Sequence, residues 1–167
     1  MILSESLAYF SLGSNLGDRE HNLNRAREFI VQRIGQQVSV SGIYETVPWG
    51  YGSRHLFYNC CICARTFLEP LALLEEILSI ERELGRYRTS GGYRDRTIDI
   101  DILFYGDLIM QHPELMIPHP AIEKRRFVLA PLHEIAPDLV HPGNGMTVEE
   151  MLNRCEDQSP VKRLKVN

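Results

Sequence analysis

The chain has 167 residues and a mass of 19.2 kDa, the size of one ordinary domain with enough length for its own core. Its apolar runs fall far short of the roughly 20 residues needed to cross a bilayer, and its net charge of −4 argues against a surface built for non-specific nucleic-acid binding, which is broadly basic. The opening "MILSESLAYFSLGSN" has no basic segment leading into a long apolar one, so no secretory signal is read there and a cytoplasmic protein is expected.

"SLAYFSLGSN" begins as an apolar strand that stops at Gly13. "NLGDREHNLNRAREFIVQRIG" then supplies a helix start at Asp18, apolar residues Leu23, Ala26, Ile30 and Ile34 at three- and four-residue spacing, and a stop at Gly35. "QVSVSGIYET" reads as a second strand, ended by the Pro- and Gly-rich loop "VPWGYGSRH". A third strand, "LFYNCCICARTF", precedes the amphipathic helix "EPLALLEEILSIERELG", with Pro70 in its first turn and Gly85 at its end. Cys60 and Cys63 have CxxC spacing, but on a strand they point to opposite faces. With Cys61 and Cys155 they are expected to act as small buried hydrophobes.

The arginine-rich loop "RYRTSGGYRDR" leads into "TIDIDILFYG". Period-two alternation there puts Asp99 and Asp101 on one face of a strand and Ile98, Ile100 and Ile102 on the other. The order β-α-β-β-α-β predicts an α+β, ferredoxin-like fold: an antiparallel sheet with two helices on one face. From about Asp107 the chain reads as a C-terminal appendage of short strands and helices, with a Pro-rich turn at "IPHPAIEKRR" and a helix around "FVLAPLHEIAP".

Two ionised carboxylates on neighbouring same-face positions repel each other and lose solvation if buried. Arg94 and Arg96 could compensate them as a structural pair, or the aspartates could hold Mg²⁺, which takes one or two carboxylates plus water and phosphate oxygens. Spacing alone leaves both readings open. Arg82, Arg86, Arg88, Arg94 and Arg96, with Lys124, Arg125 and Arg126 further on, form compact basic patches suited to a small anion such as a polyphosphate. "LGSNLGD" lacks the Gly-Lys-Ser/Thr of a phosphate loop and is expected to be a tight, mainly structural turn. In "ETVPWGYGSRHLFYN", Trp49, Tyr51, Phe57 and Tyr58 stand among Thr46 and Asn59. That mixture suits a flat heterocycle, though an ordinary core with a surface loop is the default. His119 is read as a phosphate contact or a turn residue, and the other histidines as structural.

Taken together, "GSNLGD", "YETVPWG", Asn59, "ERELGR", "RTIDIDILFYG", "PHP" and "RRFVLAPL" resemble the 6-hydroxymethyl-7,8-dihydropterin pyrophosphokinases of folate biosynthesis, from about residue 8 to residue 152. The resemblance implies a cytoplasmic, ferredoxin-like transferase in which residues 1–167 form a single pyrophosphokinase domain. It implies transfer of a diphosphoryl group from ATP, the co-substrate, to the pterin hydroxymethyl oxygen, with release of AMP. Asp99 and Asp101 match the ligands of two Mg²⁺ ions and, with Arg86 and Arg96, the catalytic set. Asp99 is the candidate to help remove the hydroxyl proton. Thr46 and Asn59 match positions that read the pterin edge, Phe57 and Phe127 the aromatic pair around its ring, and Pro48 and Trp49 the pocket border. Glu81, Arg88, Tyr93, Arg96, His119 and Arg125 match ATP contacts. Gly91 and Gly92 would let the loop from Arg86 to Arg96 act as a lid, with Tyr93 covering the site and Thr89 standing where some members have a lysine. Small-molecule partners only are expected: ATP and the pterin, no nucleic acid, no membrane, and a monomer. The rival readings are a nucleotidyltransferase, which would release pyrophosphate, and a non-catalytic regulatory domain.

Overall fold

The computed structural model of the chain describes residues 4–86 and 94–165. Arg88, Thr89, Gly91, Gly92 and Tyr93 lie outside the described residues.

The first six expected elements are present: β1 (Ser6–Ser14), α1 (Arg19–Arg33), β2 (Gly35–Val40) with β3 (Tyr44–Thr46), β4 (Phe57–Thr66), α2 (Pro70–Glu83) and β5 (Asp99–Tyr105). The strands form one antiparallel sheet in the order β5-β1-β4-β3, with β2 also pairing β4. This is the ferredoxin-like arrangement. Asp18 caps α1 by accepting a 3.0 Å hydrogen bond from the His21 amide. Leu23, Ala26 and Ile30 of α1 and Leu73, Ile77 and Ile80 of α2 are buried against Phe10, Leu12, Ile62 and Ile100. Burial of these apolar stripes is what fixes both helices on one face of the sheet.

The segment read as one second strand is two. Between β2 and β3, the Ser41 amide donates to the Cys61 carbonyl and the Cys61 amide to Ser41 Oγ, both at 2.9 Å. A side chain thus replaces one rung of the ladder and bends the strand, a competition that serine is suited to. Gly35, expected as a helix stop, is also the first residue of β2. A Cβ there would lie 1.9 Å from the Arg65 carbonyl oxygen, so only glycine fits.

The appendage closes the opposite face of the sheet. After the two-residue strands β6 (Met110–Gln111) and β7 (Met116–Ile117) come α3 (Arg126–Ile135) and α4 (Val148–Arg154). Val128, Leu129, Leu132, Val148 and Met151 from these helices bury Cys61, Leu103 and Phe104. β8 (Val161–Arg163) then pairs antiparallel with β3 and lies along its outer edge. Cys60, Cys61, Cys63 and Cys155 are free and buried. Burial pushes the Cys60 thiol up to about 12, so it stays protonated and apolar in character.

Candidate active site

The α3 face of the sheet is covered only in part. Where α3 and α4 do not reach, sheet register sets out the polar residues in a row. Gly13 of β1 is the partner of Asp99 on β5 and of Asn59 on β4, and Asn59 in turn faces Tyr44 on β3. Two residues along, on the same face, Ser11 lies between Asp101 and Cys61. Adjacent strands are about 4.8 Å apart, so Asp99 and Asn59 sit roughly 10 Å from each other with only a glycine between them. A cleft opens over this row, with about 490 Å³ of space that is continuous with open solvent. The Pro-Gly loop contributes Trp49 and Tyr51 to its wall, and the start of α3 contributes Arg125 and Phe127.

At one end the cleft floor is charged. Arg86 Nη1 donates to Glu81 Oε2 at 2.7 Å and makes a short contact with Asp99 Oδ1; Arg96 Nη1 donates to Asp99 Oδ2 at 3.2 Å. Glu81 is only 1% exposed and also accepts the Ile100 amide at 2.9 Å. Burial alone would lower the Arg86 pKa, but the charges of Asp99 and Glu81 outweigh it and hold it above the usual value. Asp101 lies 3.8 Å from Arg125 Nη1. Burial first, and then the neighbouring Asp99 charge, push its carboxyl up to about 7. Period-two alternation therefore does put both aspartates into one cleft, where Asp101 is short of positive charge.

This arrangement suits divalent cations. Among the described residues no group of three or more His, Cys, Asp or Glu side chains could hold a metal alone. A cation on Asp99 and Asp101 would therefore draw its other ligands from water or a phosphate-bearing substrate, the usual pattern for Mg²⁺. Arg86, Arg96 and Arg125 already face Glu81, Asp99 and Asp101. A polyphosphate entering here would bring unbalanced negative charge, and cations on the aspartates would offset it.

The other end is aromatic and neutral. Asn59 Nδ2 donates to Thr46 Oγ1 at 2.6 Å, and both side chains are buried, at 2% and 4% exposure. A Cβ on Gly13 would come within 2.8 Å of Asn59 Oδ1 and 3.5 Å of the Phe57 ring. The glycine read as part of a turn is thus a strand residue whose missing side chain makes room for this amide. The Arg125 guanidinium lies 4.6 Å over the Trp49 ring and 5.8 Å from the Phe127 ring, joining the two ends.

His119 stands beside the charged end. Its Nδ1 accepts the Ala121 amide at 3.1 Å. Burial, and next the Arg125 charge, lower its pKa to about 4. The neutral ring therefore carries its proton on Nε2 and can donate from there.

A family model for 7,8-dihydro-6-hydroxymethylpterin-pyrophosphokinase (HPPK) matches residues 9–137. The chain belongs to this family. It is 46% identical over 140 residues to a 2-amino-4-hydroxy-6-hydroxymethyldihydropteridine pyrophosphokinase of Porphyromonas gingivalis, covering 82% of this chain and 95% of the relative. It is 44% identical over 131 residues to the Bacillus subtilis protein of the same name, covering 78% of each. Its fold matches wild-type Plasmodium falciparum HPPK-DHPS, solved with pterin and p-hydroxybenzoate, with a TM-score of 0.73 at 19% identity over 90% of this chain. The chain spans 42% of that longer protein.

Within the family frame, Thr46, Trp49, Phe57, Asn59, Arg96, Asp99, Asp101, Arg125 and Phe127 all line the one cleft. Pro48 lies on the adjoining surface, beside Glu123 and Asp157. Arg86 and Glu81 stand behind Asp99 rather than in the cleft wall, as a buried brace. Arg88 and Tyr93 fall outside the described residues. Sequence reasoning missed Ser11, Gly13 and Val47 as cleft residues. Ser11 and Gly13 could have been found only by pairing β1 against β4 and β5, which the strand pattern alone does not specify.

Proposed function

We propose that the chain transfers the diphosphoryl group of ATP to the hydroxymethyl oxygen of 6-hydroxymethyl-7,8-dihydropterin, giving AMP and the pterin diphosphate for folate biosynthesis. The observation that carries this reading is the sheet row Asp99–Gly13–Asn59. It sets a carboxylate–arginine end and an amide–aromatic end in one cleft, at a separation a single small substrate can bridge.

The pterin ring lies between Phe57 and Phe127, with its polar edge on Thr46 and Asn59. Burial of that polar pair makes recognition selective, because a ring without matching donors and acceptors leaves unfilled the hydrogen-bonding positions that the Asn59–Thr46 bond does not use. The hydroxymethyl group then points along the row toward Asp99, which takes the hydroxyl proton as the oxygen attacks the β-phosphorus. Two Mg²⁺ ions held by Asp99 and Asp101 would supply charge neutralisation of the phosphates and of the oxygens in flight. Glu81 holds Arg86, and Arg86 with Arg96 orients Asp99. Arg96 and Arg125, at the cleft wall, are the guanidinium groups placed to meet phosphate oxygens. Neutral His119 donates a hydrogen bond from Nε2 to the same group. Arg88 and Tyr93, outside the described residues, are assigned to the ATP side in this reading.

In this reading residues 1–167 work as one domain, as a cytoplasmic monomer with ATP and the pterin as its partners and with neither nucleic acid nor membrane. Among the described residues no helix is long and apolar enough to cross a membrane. Incubation with ATP, Mg²⁺ and 6-hydroxymethyl-7,8-dihydropterin, followed by separation of the nucleotides, tests the proposal. AMP should appear in step with the pterin diphosphate, and only when all three are present. ADP would indicate γ-phosphoryl transfer, pyrophosphate a nucleotidyltransferase, and absence of turnover from folded, ATP-binding protein a regulatory domain.

A further inference from the structure

A polar cluster at the cleft mouth has no place in the chemistry above. Asn15, just after β1, is 2% exposed, and its side chain reaches two other segments of the chain. Its amide nitrogen carries two hydrogens, and the two shorter contacts are to Asp95 Oδ1 at 2.8 Å and to the His55 carbonyl at 3.1 Å. Tyr51 Oη, 3.2 Å from the same nitrogen, donates its own hydrogen to Asp95 Oδ1 at 3.1 Å. On the other side, Asn15 Oδ1 accepts the Arg96 amide at 2.7 Å, and the Asn15 amide donates to the Arg96 carbonyl at 3.0 Å. A hydrogen bond from Ser53 is the chief reason the Asp95 carboxyl sits below its usual range, so the residue is an ionised acceptor at neutral pH. The hydrogen bonds made by Asn15 and Tyr51 join partners 36 to 81 residues apart in the chain.

We infer that Asp95 is a positioning residue, a latch that ties the loop at 47–56 to the entry of β5 and so holds the two ends of the cleft in register. The inference rests on the function proposed above. Asp95 precedes Arg96, which lines the cleft and donates to Asp99. Its partner Tyr51 lines the same cleft beside Trp49. One carboxylate therefore fixes a guanidinium at the charged end and a wall of the aromatic end, while touching neither substrate. Charge-assisted bonds are about twice as strong as neutral ones, which favours a carboxylate as the shared acceptor of two loops.

The test compares Asp95→Ala and Asp95→Asn with the wild type by amide hydrogen exchange and by kinetics. In Asp95→Ala, exchange should speed up about tenfold in 47–56 and 94–97, with β4 and α2 unchanged. Its kcat should fall and its KM for the pterin should rise, each by about tenfold. Asp95→Asn, whose carbonyl oxygen can accept the hydrogen bonds from Asn15 and Tyr51, should recover most of both. Unchanged exchange in 47–56 overturns the latch. Faster exchange with wild-type kcat and KM overturns the positioning role, leaving a mere loop fastener. An Asn variant as impaired as the Ala variant overturns the hydrogen bonds shared by Asn15 and Tyr51 as the means of the latch. If the wild type forms no AMP, the functional reading fails, and the exchange comparison still decides the latch.

Discussion

At one end of the cleft, Asp99 and Asp101 belong to a single strand and alternation alone sets their common direction. At the other, Thr46, Asn59, Phe57 and Phe127 come from β3, β4 and α3 and meet only because the sheet keeps one register. The two ends also differ in what holds them. The aspartates are locally encoded but electrostatically costly, and their compensation comes from Glu81-braced Arg86, Arg96 and Arg125, drawn from three places in the chain. The ring end is assembled from distant residues, yet its polar atoms satisfy each other through the 2.6 Å Asn59–Thr46 bond. One end is thus balanced in charge and should respond to cations and pH. The other is balanced in packing and should respond to the loss or addition of single atoms.

The largest expected effect is at the charged end. Asp99→Asn and Asp101→Asn keep the side-chain shape and remove one charge each, so each should lower AMP formation by about 10³-fold. Folding should survive, since an amide in place of a carboxylate relieves repulsion on that strand face. Near-normal turnover in either variant would sink the assignment of two ions to this pair. It would also erase the distinction between the two ends.

A smaller effect should come from the residue between them. In Gly13→Ala the new Cβ would lie 2.8 Å from Asn59 Oδ1, closer than real contacts allow, so the amide has to turn or shift. The KM for the pterin should rise by roughly tenfold, about 1.4 kcal/mol, while ATP affinity measured by calorimetry stays close to wild type. Equal losses for both ligands would show that the row moves as one body and that the ends are not separable.

How far this was legible beforehand follows the same division. Asp99 and Asp101 could be read from "DIDI" because side-chain direction in a strand is a property of the strand alone. The βαββαβ order was legible because α1 and α2 carry their own start, stop and apolar stripes. The break at Ser41 was not, since it depends on a serine hydroxyl finding the Cys61 amide 20 residues away. Nor was the pairing of β8 with β3, a three-residue match with no local signal. Asn15 looked like part of a structural turn, and its role emerges only when Tyr51, His55 and Asp95 are brought to it. The aromatic loop was visible, but composition alone could not tell a ring-binding wall from an ordinary core.

The smallest effect, and the finest test of the comparison, is in stability against pH. The Asp101 carboxyl is raised from 3.8 to about 7, by burial first. The native state therefore binds more protons than the unfolded chain in that window, and this group's stabilisation is lost as pH rises. His119 is lowered from 6.5 to about 4, by burial first. There the unfolded chain binds more protons, so this group's contribution grows as pH rises from 4 to 6.5. The two slopes oppose each other, and urea unfolding without Mg²⁺ should separate them. Asp101→Asn should gain on the wild type with rising pH, and His119→Gln should lose on it, each by on the order of 1 kcal/mol. Parallel profiles for all three proteins would mean that neither group is perturbed in this way. Added Mg²⁺ should remove the falling Asp101 contribution from the wild type, because a bound cation favours the ionised carboxylate. The rising His119 contribution would remain, so cation binding should steepen the wild-type profile between pH 4 and 6.5 while leaving that of Asp101→Asn almost unchanged.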